Sequence, residues 1–303
     1  MSVLVVGSIA FDSIATPFGQ VDKAQGGSAT YFSLAAAQFT DVRLVGVVGE
    51  DFEDRHMGVF GGRRIDTSGL VRAPGKTFHW KGAYEYDMNE AHTLATELNV
   101  LEGFSAAVPE AFRDSPYVFL ANIEPRLQLH VLDQVKAPRF VAADSMNYWM
   151  QSRLGDLKLL LKRVDCLVIN EGEARMLGGT TNIRKAGRLI LDMGPRILVV
   201  KRGEYGVIMM NGEGRVFAAP GLPLEEVVDP TGAGDSFAGG MMGYLAHGGD
   251  LSDVGFRRAL VAGSVMASFT VEGFGLSRLE TVTAADLSRR FGEFSTLTHF
   301  ERL

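Results

Sequence analysis

Six short runs constrain this chain most: 3–9, 42–48, 117–120, 139–143, 166–169 and 197–201 are rich in Val, Ile, Leu and Phe, several of them on consecutive positions. Consecutive apolar residues suit strands covered on both faces, whereas a half-exposed strand alternates. Helix-like runs fall between them, at 29–39, 52–61, 126–135, 155–163, 171–177 and 184–193. Three more close the chain, at 236–247, 251–270 and 284–294. Short strands alternating with helices build a mostly parallel sheet through right-handed crossovers, so the fold class predicted is α/β.

One region breaks the alternation. Residues 70–98 hold Thr77-Phe78-His79-Trp80-Lys81-Gly82-Ala83-Tyr84-Glu85-Tyr86 and then His92-Thr93-Leu94-Ala95-Thr96, with no helix between them. These alternate and read as antiparallel strands. Phe78, Trp80, Tyr84 and Tyr86 recur at even spacing, so they are expected on one strand face, against a ligand or in a dimer interface.

A second feature carries chemistry. Val228-Asp229-Pro230-Thr231-Gly232-Ala233-Gly234-Asp235-Ser236-Phe237 runs from an apolar segment through a turn into a helix-like run. Small residues let successive N–H groups point one way, and the helix adds its unpaired amides and positive dipole end. Together they form an anion hole suited to a phosphate. Asp235 is a helix cap or a base that takes a proton from an attacking hydroxyl.

The pattern D-x-x-G-A-G-D-x-F resembles the signature of the ribokinase-like (PfkB-type) carbohydrate and nucleoside kinases. The resemblance implies a three-layer sandwich with a small β lid. The core would take residues 1–11, 26–69 and 99–303, and the lid 12–25 and 70–98. It implies phosphoryl transfer from ATP, with Asp235 as catalytic base and the backbone of Gly232, Ala233 and Gly234 in the anion hole. A closed lid keeps water from accepting the phosphoryl group.

Other segments match the family piece by piece. Asp12 follows the first strand, where a carboxylate can accept hydrogen bonds from two vicinal hydroxyls. Gly26-Gly27 resembles the Gly-Gly motif before a helix, and Tyr31 stands where sugar kinases often carry asparagine. That departure leaves the acceptor open, and an aromatic there suits a flatter or less polar ligand. Asp144-Ser145-Met146-Asn147 resembles a D-x-N-type segment, with Asn147 as a substrate or phosphate contact. Asn170-Glu171-Gly172-Glu173 matches N-x-x-E: Asn170 lies near ATP and Glu173 helps organise Mg²⁺ through water, although the same pair makes a helix cap. Lys201, Gly203 and Gly206, in a strand–turn–strand, and Thr231 are expected beside the nucleotide. Asp229, with the loop around Gly273 and Gly275, is the candidate site for a monovalent cation such as potassium.

Composition excludes several classes. A net charge of −6 argues against nucleic-acid or anionic-membrane partners. The single cysteine, Cys166, lies in an apolar run and suits a reducing, cytoplasmic setting. No apolar run is long enough to span a bilayer. Pro74-Gly75-Lys76-Thr77 ends like a P-loop, but its first glycine is out of place and β-like residues follow. The six histidines show no zinc spacing, and no G-x-S-x-G elbow is present. The resemblance implies as acceptor a small sugar or, alternatively, a nucleoside whose base the aromatics could stack. A non-catalytic sugar- or nucleotide-binding regulator is the rival outside enzymes, and a homodimer through the lid is the one protein partner expected.

Overall fold

The consecutive apolar runs become strands buried on both faces. Val3 and Val5 enter one apolar cluster, while Leu4 and Val6 enter another on the opposite side. This is the period-2 alternation of a strand with a core on each side. The computed structural model describes residues 1–299. Its strands are β1 (Ser2–Val6), β2 (Ala10–Thr16), β3 (Gly19–Gly26), β4 (Asp41–Val48), β5 (Ile65–Arg72), β6 (Phe78–Tyr84), β7 (Ala91–Glu97), β8 (Tyr117–Leu120), β9 (Phe140–Asp144), β10 (Cys166–Asn170), β11 (Ile197–Lys201), β12 (Val207–Asn211) and β13 (Val216–Ala219). The helices are α1 (Ser28–Ala36), α2 (Asp54–Met57), α3 (Pro125–Gln134), α4 (Asn147–Ser152), α5 (Leu154–Leu161), α6 (Glu171–Gly178), α7 (Ile183–Leu191), α8 (Ala233–Gly248), α9 (Asp253–Thr270) and α10 (Ala284–Thr298).

Nine strands form the central sheet, in the order β13-β12-β11-β10-β9-β8-β1-β4-β5. It is parallel from β5 to β11 and antiparallel only at β12 and β13. Helices α1, α8 and α9 cover one face, where Phe32 stacks on Phe119 with centroids 4.4 Å apart. Helices α3, α5, α6 and α7 cover the other. The three-layer sandwich is as expected. The chain moves outward from β1 through β4 on one side and from β8 on the other. That is a switch point, and open α/β sheets bind ligands outside the strand ends at such points. No helix among the described residues is long and apolar enough to cross a membrane.

Several expectations need correction. Residues 70–72 finish β5, an edge strand of the central sheet, so the small sheet takes Ala10–Gly26 and Phe78–Glu97 instead. Strand β5 escaped the apolar-run criterion because an edge strand alternates with polar residues (Ile65-Asp66-Thr67-Ser68). The small sheet, ordered β3-β2-β6-β7, is not wholly antiparallel: its central pair, β2 and β6, runs parallel. The helix expected at 52–61 shrinks to α2, because Gly58, Gly61 and Gly62 weaken its second half.

Candidate active site

Strands β9, β10 and β11 lie side by side and parallel, so their carboxyl ends bring Asp144, Asn170 and Lys201 together. Lys201 Nζ donates to Asp144 Oδ2 at 3.1 Å, and the Asp144 residue is only 4% exposed. Asn170 caps α6 reciprocally with Glu173. The Glu173 amide donates to Asn170 Oδ1 and the Asn170 amide to Glu173 Oε2, each at 2.8 Å. The capping reading is therefore realised, through Glu173 Oε2. Burial, and then Asp144, push Glu173 up to about 7, while Lys201 opposes the shift. Burial alone would lower Lys201; Asp144, Glu173 and Asp235 outweigh it and hold the ammonium above its ordinary range.

Facing this row is the glycine turn. Helix α8 begins at Ala233, three residues earlier than expected, so Asp235 sits inside its first turn. Gly232 precedes the helix at φ +75°, and a Cβ there would strike the Tyr31 ring. Only glycine satisfies both the left-handed backbone and that contact. No side chain caps α8. The Ala233 amide donates to Pro230 O at 3.1 Å, which removes it from the expected donor set. The amides of Gly232, Gly234 and Asp235 have no hydrogen-bond partner among the described residues. Lys201 Nζ stands 2.9 Å from where a Gly234 Cβ would be. Three unpaired amides, the positive end of a 16-residue helix and an ammonium thus converge, which is an anion-binding arrangement. Half-buried Asp235 is pushed up to about 7 by burial first and by the negative charge of Asp144 next, with Lys201 opposing.

The small sheet closes the cleft from the other side. Asp12 in β2 is 4% exposed and lies against Gly26, where a Cβ would meet its carboxylate. Gly27, at φ +92°, donates its amide to Asp12 Oδ2 at 3.4 Å. Burial raises Asp12 to about 7; the Gly27 amide opposes this, and Asp229 and Asp235 add to it. Asp12 pairs in register with Trp80 of β6, so both face the same way. The benzo edge of Trp80 lies over Gly82, and its Nε1–H donates to Thr93 Oγ1 at 3.2 Å. Tyr84, at the end of β6, meets Thr231 of the glycine turn. Thr231 also donates its amide to Asp229 Oδ1 at 2.9 Å, and Gly275 donates to Asp229 Oδ2 at 3.1 Å. Each Asp229 carboxylate oxygen therefore accepts one backbone amide.

Other expected residues do different work. Tyr31 is 1% exposed; its ring supports Gly232 from beneath and cannot stack on an acceptor. Asn147 opens α4 at the surface, and the buried acid of that segment is Asp144. Gly206 makes room for the backbone of Ala219 and Pro220, not for a nucleotide. The space beside Gly203 is filled by the Asn89 side chain. Tyr86 lies beyond β6 and is 86% exposed, so it leaves the aromatic face shared by Phe78, Trp80 and Tyr84. Sequence reasoning missed Asp144 and the Tyr84 contact. The signal for Asp144 was present: an acid ending a strand two places from the strand that Lys201 ends. A triad look-alike occurs on the sheet's other face, where His79 Nε2 is 2.9 Å from Ser13 Oγ and Nδ1 is 3.7 Å from Glu97. The Ser13 hydroxyl donates to Asp22 Oδ1 at 2.6 Å, so it is no nucleophile awaiting a base.

Comparison with known proteins bears on the family and the fold. The family profile described as pfkB family carbohydrate kinase matches residues 2–281. A cytidine kinase of Thermococcus kodakarensis is 30% identical over 266 residues, covering 86% of this chain and 95% of its own. Two solved structures share the fold. An Escherichia coli chain in complex with ATP and Mg²⁺ superposes with a TM-score of 0.79 at 19% identity, over 96% of this chain and 99% of its own. A Burkholderia thailandensis nucleoside kinase in complex with inosine gives 0.75 at 20% identity, over 99% of this chain and 100% of its own.

Proposed function

Because the chain belongs to the pfkB family of carbohydrate kinases, whose members move a phosphoryl group onto a hydroxyl, we propose that it is an ATP-dependent nucleoside kinase. One observation supports phosphoryl transfer above the rest: the free amides of Gly232, Gly234 and Asp235 converge with Lys201 beside a carboxylate near pKa 7. In the reading proposed, the acceptor oxygen bonds to the γ-phosphorus as the bond to the β–γ bridging oxygen breaks. ADP leaves, and the acceptor proton passes to Asp235. A base with pKa near ambient pH suits that transfer. The three amides and Lys201 hold the charge on the moving group. Asp12, aligned by Gly27, accepts hydrogen bonds from ribose hydroxyls, which would draw its carboxyl back to the ionised form.

Mg²⁺ would offset phosphate charge when bound. No cluster of three or more His, Cys, Asp or Glu among the described residues could hold a metal alone. This fits an ion that keeps its waters and leans on phosphate oxygens, with Glu173 reaching it through water.

The nucleoside is favoured over a bare sugar by two observations. The cytidine kinase aligns over nearly the whole chain. Trp80, half-buried with its benzo edge over Gly82, shares the face of Asp12 and could stack a base. The test is ADP release from ATP and Mg²⁺ with cytidine, uridine, inosine, adenosine, ribose and fructose, repeated with Trp80→Ala. Nucleosides are expected to be turned over, and Trp80→Ala to raise KM for them roughly 5- to 100-fold, as for loss of a stacked ring. Turnover of ribose alone would restore the sugar-kinase reading, and turnover of none would favour the regulator.

A further inference from the structure

Tyr84 links the small sheet to the anion-binding turn. Thr231 Oγ1–H donates to the Tyr84 hydroxyl oxygen at 3.2 Å, across 147 residues of sequence. Thr231 is 9% exposed, and its backbone leads directly into Gly232, the first of the free amides. On its other side Thr231 is held by Asp229, which also holds Gly275. The small sheet touches that second anchor too: Gly19 faces the Phe274 ring, and Ala24 faces Gly275. The turn is therefore gripped from both flanks by the sheet that carries the acceptor contacts.

The hairpin beyond Tyr84 reaches further. Asn89 Oδ1 fills the space beside Gly203, and Glu90 Oε1 stands 3.9 Å from where a Gly172 Cβ would be. Gly203 follows Lys201, and Gly172 follows Asn170, so the hairpin crosses from the acceptor half to the row of strand ends. Tyr84 is its only aromatic hydroxyl directed at the turn; Tyr86 points to solvent. Burial, and the neighbouring carboxylates Asp229, Asp12 and Asp235, push the phenol far above its ordinary range, so it stays protonated. A neutral hydroxyl can bond Thr231 without adding charge to a region already holding three acids.

We propose that Tyr84 is a positioning residue for phosphoryl transfer: its bond to Thr231 couples closure of the small sheet to the geometry of the Gly232–Asp235 amides, so that the anion hole is set when water is shut out. This rests on the phosphotransfer reading, but not on the identity of the acceptor. When the bond is made, the γ-phosphoryl group goes to the acceptor hydroxyl. When it is absent, the turn remains but the cleft admits water, and ATP and water give ADP and inorganic phosphate.

Tyr84→Phe removes one hydroxyl and keeps the ring. Two readouts test it. In the first, inorganic phosphate release and total ADP release are measured with ATP, Mg²⁺ and saturating cytidine, or ATP and Mg²⁺ alone. Tyr84→Phe is expected to raise the share of turnovers ending in free phosphate roughly three- to ten-fold, the size of one hydrogen bond. Thr231→Val should do the same, and the double variant should be no worse than either single one, because both remove the same bond. In the second, amide hydrogen exchange is followed on the ligand-free chain. Exchange in 78–84 and 229–235 should quicken together in Tyr84→Phe while the central sheet stays protected. An unchanged phosphate share, or fully additive effects, overturns the proposal. So does faster exchange in one segment without the other. If cytidine proves not to be an acceptor, the acceptor-free hydrolysis and the exchange data still decide the matter.

Discussion

Asp235, the base we propose, is held in the fold at a cost to stability above neutral pH. Its carboxyl is ordinary in an unfolded chain, near 3.8, and is raised to about 7 in the fold. The folded protein keeps a proton that the unfolded chain has lost between those values. Stability from this group is therefore full below about pH 4 and is lost as pH rises through about 7. Asp12 and Glu173, also raised to about 7, act in the same direction. Asp235→Asn has no charge to bury. Its Tm relative to the parent is expected to be little changed at about pH 4 and higher at about pH 8, by roughly 2–4 °C per kcal/mol relieved. Catalysis runs the opposite way. The parent kcat/KM should climb through about pH 7 as Asp235 and Glu173 lose protons, and Asp235→Asn should cut kcat roughly 10²–10⁴-fold. A variant with near-normal kcat would remove Asp235 from the role of base. The acid of the signature was plain in the sequence. Its altered proton affinity was not, because burial and the charge of Asp144 come from distant segments.

At the scale of elements, α8 and the turn before it present free amides together, and we propose them as one anion-binding unit. The two glycines have different reasons to lack a side chain. Gly232 needs a left-handed backbone and room for Tyr31, whereas Gly234 makes room only for the tip of Lys201. Gly232→Ala is expected to lower stability by about 1–2 kcal/mol from backbone strain alone, and to cut kcat about 10²-fold as a donor moves. Gly234→Ala should leave the urea midpoint near the parent and instead raise KM for ATP by displacing the ammonium. Equal loss of stability in the two would show that the distinction is wrong. The small sheet was legible as β structure from alternation alone. The parallel pairing of β2 with β6 was not, because pairing direction depends on how the chain returns through β4 and β5 between them.

Across the whole molecule, the closing helix is tied down by a buried charge. Arg290 of α10 is 4% exposed, donates to Glu272 at 2.6 Å and to Ser268 at 3.2 Å, and lies 3.9 Å over the Phe269 ring. Breaking one partner of a buried pair costs about 3–5 kcal/mol, and Arg290→Met should fall at the lower end because Arg278 still pairs with Glu272. A shift of the denaturant midpoint much smaller than this would mean that Glu272 relaxes toward solvent. The layered order of strands and helices needed no structure to foresee, since an apolar strand core demands helices on both faces. Local pattern determined three things: an α/β sandwich, a glycine turn at the start of a helix, and a β insert. Tertiary structure decided the partners. Asp144 meets Lys201 only because β9, β10 and β11 stand in adjacent order, Tyr31 serves the turn only because α1 packs against α8, and Tyr84 reaches Thr231 only because the small sheet folds over the strand ends. Periodicity is a property of neighbours along the chain, whereas proton affinities and hydrogen-bond partners are set by neighbours in space.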